Sequence, residues 1–141
     1  MRPALLPLHR CRLPAWAEYA AVGGLYIGLG LGLLPAHQYL LNPDGISYIS
    51  LAEHWLAGHW AEALNGYWSP LLVWLLVPLR ALGLEAHTAG HVAVMLTGLV
   101  PLGALVHIAR RLAWPLGVRL GVLGLGVALV LSATLSTIVP D

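Results

Sequence analysis

Charge is scarce in this sequence. Arginine and the acids together make up 9% of the chain against 59% hydrophobic residues, and there is no lysine. A soluble domain usually carries about a quarter charged residues, so a surface facing water on all sides is excluded and the bilayer is the expected solvent. The net charge of +1 comes with no basic patch interleaved with aromatics, which excludes a nucleic-acid groove. A single cysteine, Cys11, excludes an internal disulfide. The missing lysine and phenylalanine read as compositional bias rather than mechanism. Residues 42–70 hold no His-x-x-x-His pair, and the chain lacks a Cys-x-x-Cys pair, a nucleophile elbow, a phosphate-binding glycine loop and a dinucleotide fingerprint.

What is present are uncharged runs. Residues 19–41 follow a basic N-terminal segment, 1–18, that carries Arg2, Arg10 and Arg12. A helix rises about 1.5 Å per residue and a hydrocarbon core of about 30 Å needs about 20 residues, so 19–41 predicts a first membrane span. The run is too long for a signal-peptide core and no small-x-small cleavage site precedes the Asn42 loop, so the span is expected to be retained. Residues 88–108 and 120–139 predict two more spans. Between them, 109–119 holds Arg110, Arg111 and Arg119. The piece 70–84 is apolar but short, and Pro78 is expected to interrupt it. Counted as a span it gives four crossings and places the twin arginines outside. Laid along the interface it leaves three crossings and places both basic regions in the cytoplasm, which the positive-inside rule favours. The expectation is therefore an all-α integral membrane protein with three transmembrane helices (alternative, four), a cytoplasmic N-terminus and a first outer loop over 42–87. Residues 140–141 would begin a second outer loop.

Gly24, Gly28 and Gly32 fall on one face of the first span. Small residues at this spacing allow close helix contact. Packing inside the protein is the favoured expectation, and a helix–helix partner the minor one.

The outer loop concentrates the chemistry. NPDGISYISLAEHWLAGHWAEALNGYWSP, residues 42–70, holds three of the six acids, two of the seven histidines and three of the six tryptophans. Asn42-Pro43-Asp44-Gly45 is a turn signal. Tyr48, Leu51, Ala52, Trp55 and Leu56 recur at helical spacing, predicting an amphipathic helix over about 47–57, with a weaker piece over 60–64 and a juxtamembrane helix over 70–84. Asp44 then sits just ahead of a helix, as an N-cap or Asx-turn residue, or as a carboxylate at the membrane boundary able to act as general base or metal ligand. Tyr48, Trp55, Trp60, Tyr67 and Trp68 suit an interfacial aromatic belt. Glu53, His54, His59 and Glu62 gather potential metal ligands, but the two histidines are five apart with Gly58 between them, a spacing that argues against a structural zinc site.

The order of an apolar first helix, NPDGISYISLAEHWLAGHW, NGYWSPLLVWLLVPLRALG and a span closing in ARRLAWP resembles the amino-terminal part of GT-C-type membrane glycosyltransferases, including aminoarabinose and protein-mannosyl transferase relatives. The resemblance implies transfer of a sugar from a polyprenyl-phosphate donor at the outer face of the bacterial plasma membrane, often with a divalent cation. It implies Asp44 as the first-loop acid, serving as base or metal ligand, and Tyr67 and Trp68 where a proline-rich segment meets the donor. Tyr48, as an aromatic able to stack on a sugar, and Arg80, as the one outer-face arginine, complete the expected substrate-binding residues. Many relatives carry two adjacent acids where this chain has Asp44-Gly45, and a His/Lys-Pro-Pro-Leu segment where it has Ser69-Pro70-Leu71. The family needs many more spans than three, so the resemblance also implies an amino-terminal portion, inactive alone. The alternative is a small non-enzymatic membrane protein acting in assembly or interaction. A transporter fragment fits less well, since transporters place polar groups near the midplane and the last two spans have almost none.

Overall fold

The computed structural model describes residues 14–37, 43–64 and 67–136. It has six α-helices: α1 (Ala15–His37), α2 (Pro43–Leu56), α3 (Trp60–Ala63), α4 (Pro70–Ala81), α5 (Ala86–Arg111) and α6 (Leu116–Ser136). The described residues contain no strand. Arg2, Arg10, Arg12, the Asn42 and Asn65-Gly66 turn positions and residues 140–141 lie outside the described residues.

Three helices, α1, α5 and α6, are long and apolar enough to cross a membrane. Two of them start well before the uncharged runs do. Glu18 lies inside α1 and Arg119 inside α6. Each charge is tolerated there because the other neutralises it: Arg119 Nη2 lies 2.6 Å and Arg110 Nη1 3.1 Å from Glu18 Oε1. By contrast α4, with 12 residues, reaches only about 18 Å. Pro78 does not interrupt it as expected; the helix continues to Ala81. It ends where Gly83 takes φ 86°, with the Leu84 N–H donating to Leu79 O and the Gly83 N–H to Arg80 O, a Schellman stop.

The direction of the long helices follows from their side-chain pairs. Glu18, at the start of α1, meets Arg110 at the end of α5 and Arg119 at the start of α6. Further along α1, the Tyr26 hydroxyl donates to Thr134 Oγ1 of α6 at 3.0 Å and packs against Gly98 of α5. So α1 runs antiparallel to α5 and parallel to α6. Two helices that run antiparallel on either side of α4 are what a non-crossing α4 requires.

Two apolar clusters share α5. Tyr26, Met95, Leu102, Val127, Leu131 and Leu135 join α1, α5 and α6. Tyr48, Leu51, Ala52, Leu72, Val73, Leu76, Ala89, Ala93 and Val94 join α2, α4 and the first half of α5. The short helices are thus seated on the N-terminal half of one long helix. Exposed aromatics mark both ends of the bundle: Trp16 at the end holding Glu18, and Trp60, Tyr67 and Trp74 at the other, as an interfacial belt requires.

The glycine expectation is corrected. Gly24, Gly28 and Gly32 are exposed, with nothing within 4 Å of an added Cβ. The inward face of α1 carries Tyr26, Gly30 and Leu34, offset by two residues or about 200° around the helix. The close approach comes from α5 instead: a Cβ on Gly98 would strike the Tyr26 phenol and Val130. Tyr26 needs that space, so the small residue stands opposite it rather than beside it on α1.

Candidate functional site

The loop between α1 and α5 is built around α2. Asp44 lies in its first turn, not ahead of it. The helix starts four residues before the expected Ser47, because Pro43-Asp44-Gly45 forms its first turn rather than a separate turn. Proline suits the first turn, where its missing N–H has no partner to lose, and an acid there complements the helix dipole. Asp44 is half-buried and Tyr48, one turn on, is buried.

Tyr48 joins α2 to α4. Its hydroxyl accepts from the Ser69 N–H at 3.2 Å, satisfying a donor at the N-cap of α4. Its ring meets Trp68 edge-on at 5.1 Å, and Trp68 meets Tyr67 edge-on at 4.8 Å. The structure therefore brings Tyr48, Trp68 and Tyr67 into one aromatic ledge at the Asp44 end of α2. Within it Tyr48 is 6% exposed and Tyr67 84%. Tyr48 fixes the ledge from the core side, and Tyr67 forms its exposed edge. Tyr48 is thus a core residue rather than the belt residue expected.

Arg80 is not brought to Asp44. Its Nε donates to Glu53 Oε1 at 2.6 Å, and Nη1 donates to the Leu84 carbonyl. Glu53 stands nine residues beyond Asp44, about 13 Å along α2. Arg80 ties the end of α4 to α2. Glu53 was legible only as a potential metal ligand, because nothing local marks a partner 27 residues away.

The divalent cation implied by the resemblance does not fit at Asp44. It is the one acid in the first turn of α2, and Glu53 is engaged by Arg80. A cation of this kind takes several oxygen ligands. Among the described residues, the group of three that can hold a metal ion is His54, His59 and Glu62.

Glu18 is the residue sequence reasoning passed over. Its carboxylate is buried, and it draws Arg110 and Arg119 together across three helices. An acid in the first turn of an apolar helix carries no local signal of this role.

No protein-family model matches this sequence, and no curated protein and no solved structure is significantly similar to it.

Proposed function

We propose that the chain forms the amino-terminal membrane portion of a GT-C-type glycosyltransferase that uses a polyprenyl-phosphate sugar donor at the outer face. One observation carries the reading. Between two long apolar helices that run antiparallel lie three short helices, α2 to α4, with an acid in the first turn of α2 and an aromatic ledge where α2 meets α4. A sugar ring stacks on exposed aromatic faces, and an acceptor hydroxyl needs a base within hydrogen-bond reach. Asp44 is that base in this reading. The phosphate leaves without protonation and needs cationic stabilisation. Arg80, tied to Glu53, supplies little of it, so these 141 residues alone are expected to bind donor without turning it over.

The test uses membranes carrying the protein as its gene encodes it, and a photoactivatable polyprenyl-phosphate sugar. Crosslinks are expected at Tyr67 or Trp68, competed by unlabelled polyprenyl phosphate. Where sugar transfer is measurable, Asp44→Asn is expected to lower it by about 10²–10⁴-fold. Labelling no stronger than with the corresponding free prenol, or full transfer by Asp44→Asn, would remove the reading.

A second reading, a non-enzymatic membrane protein acting in assembly, is favoured by the outward face of Gly24, Gly28 and Gly32. Its mark would be disulfide-linked dimers formed through Gly28→Cys in a Cys11→Ser background.

A further inference from the structure

The turn that closes α2 builds a separate cluster. Gly58 stands in the left-handed region at φ 80°. The His59 N–H donates to the carbonyl of His54 at 2.9 Å, and the Gly58 N–H to that of Trp55 at 3.2 Å. This pair of bonds is a Schellman turn, which folds the residue after the glycine back onto the residue five before it. The two imidazoles therefore meet, with ring centroids 6.1 Å apart. His59 then opens α3, and the Glu62 N–H donates to its carbonyl at 3.1 Å. One helical turn carries the carboxylate onto both rings. Glu62 Oε2 lies 3.2 Å from His54 Nδ1 and 3.8 Å from His59 Nδ1. All three ligand atoms are within 4.8 Å of one another.

We propose that His54, His59 and Glu62 bind a divalent cation of the zinc class through both Nδ1 atoms and one carboxylate oxygen, leaving a coordination position open to water or to an anionic oxygen. Zinc bonds of about 2.0–2.2 Å arranged tetrahedrally set ligand atoms about 3.3–3.6 Å apart. The two edges to Glu62 already lie close to that spacing. The edge between the imidazoles closes by rotation of rings whose side chains are 38% and 62% exposed. Two imidazoles with one carboxylate suit zinc and its neighbours rather than magnesium or calcium, which take oxygen. Exposed histidine–carboxylate pairs contribute little stability on their own, so a shared cation gives the three groups a reason to gather on one turn. The site stands apart from the proposed transferase chemistry: His54 is ten residues from Asp44, about 15 Å along α2.

The experiment uses the full chain in detergent, stripped of metal by chelation, in a Cys11→Ser background. Cobalt(II) is titrated and its visible absorption followed, and zinc is then added in competition. The expected result is saturation at one cobalt per chain, with the intense spectrum of a four-coordinate site, displaced by zinc. His54→Ala, His59→Ala and Glu62→Gln are each expected to weaken zinc binding at least about tenfold, since even outer-sphere partners cost about 10–100-fold. Gly58→Val touches no ligand but strains the left-handed turn, and is expected to weaken binding too. His87→Ala and Glu53→Gln, outside the cluster, should leave it unchanged. Circular dichroism checks that helix content is kept, and the isosteric Glu62→Gln carries the test if an alanine variant loses it. Absence of a saturable spectrum, unchanged affinity in Glu62→Gln, or one metal per two chains would each overturn the site.

Discussion

Single side chains in this protein do their work at helix ends. Glu85 caps α5, its carboxylate accepting from the backbone N–H of His87 at 3.0 Å and of Thr88 at 3.1 Å. The His87 ring adds a contact at 2.7 Å. That ring bond above all, reinforced by the Thr88 and His87 N–H groups against a desolvation that opposes them, lowers the Glu85 carboxyl to about 2. The folded-state value lies below the ordinary 4.5, so the unfolded chain takes up the proton first. The contribution to stability is therefore complete above about pH 4.5 and lost as pH falls toward 2. Glu85→Gln is expected to lower stability by about 0.5–1 kcal/mol at neutral pH. In detergent, the gap in thermal unfolding between the two proteins should hold from pH 7 to about 4.5 and narrow as pH falls toward 2. A constant gap would mean the carboxylate charge is irrelevant to the cap. Local signals of this kind are partly legible in sequence. Asp44 was legible as a helix-start residue but misplaced, because Pro-Asp-Gly serves equally as a turn and as a first helical turn. His54 and His59 were discounted because their spacing fits no single helix. Five apart across a left-handed glycine is instead the spacing at which a Schellman turn brings two side chains together.

At the scale of helices, pairing is decided by groups far apart in the chain. The apolar runs announced three long helices and their order, since burial in lipid needs only composition and length. Their ends were less legible: a charge reads as the end of a span, yet Glu18 and Arg119 lie inside helices because they neutralise each other 101 residues apart. Removing Glu18 leaves two arginines facing each other. Breaking a buried pair costs about 3–5 kcal/mol. Here the arginine side chains are 31% and 23% exposed, so Glu18→Gln is expected to cost roughly half that, read as a lower unfolding temperature in detergent. The α1–α5–α6 interface sets a second magnitude against this one. The Tyr26–Thr134 hydrogen bond is worth about 0.6 kcal/mol by the average for such bonds in bilayers. Overpacking a close-packed interface costs about 1–3 kcal/mol. Gly98→Val should therefore destabilise more than Tyr26→Phe, because it pushes the Tyr26 ring out of place as well as breaking the bond. Equal effects in the two variants would show that the phenol, not the close approach, holds the helices.

For the molecule as a whole, the question is which loops share a side of the membrane. The two candidate topologies differ on this independently of absolute orientation. If α4 lies along the interface, α5 is the only crossing between residue 67 and residue 111, and they face opposite sides. If α4 crosses, two crossings intervene and they share a side. Geometry favours the first. α4 is about 18 Å long and is seated through Leu72, Val73 and Leu76 on α2 and α5, and Arg80 holds its end to Glu53 of α2. A helix fastened at both ends to a loop helix is expected to stay on that loop's side of the bilayer. Tyr67 is 84% exposed and Arg111 is also exposed, so both tolerate replacement. In a Cys11→Ser background, Tyr67→Cys and Arg111→Cys are expected to react with a membrane-impermeant maleimide from opposite faces of sealed vesicles. His87→Cys, at the near end of α5, should react from the Tyr67 face. By the positive-inside rule, Arg111→Cys is expected to react from the cytoplasmic face. Labelling of Tyr67→Cys and Arg111→Cys from one face would make α4 a span. Asp44 and the aromatic ledge would keep their side, but α5 would then have to run parallel to α1, and the Glu18–Arg110 pair that joins the start of one to the end of the other could not form.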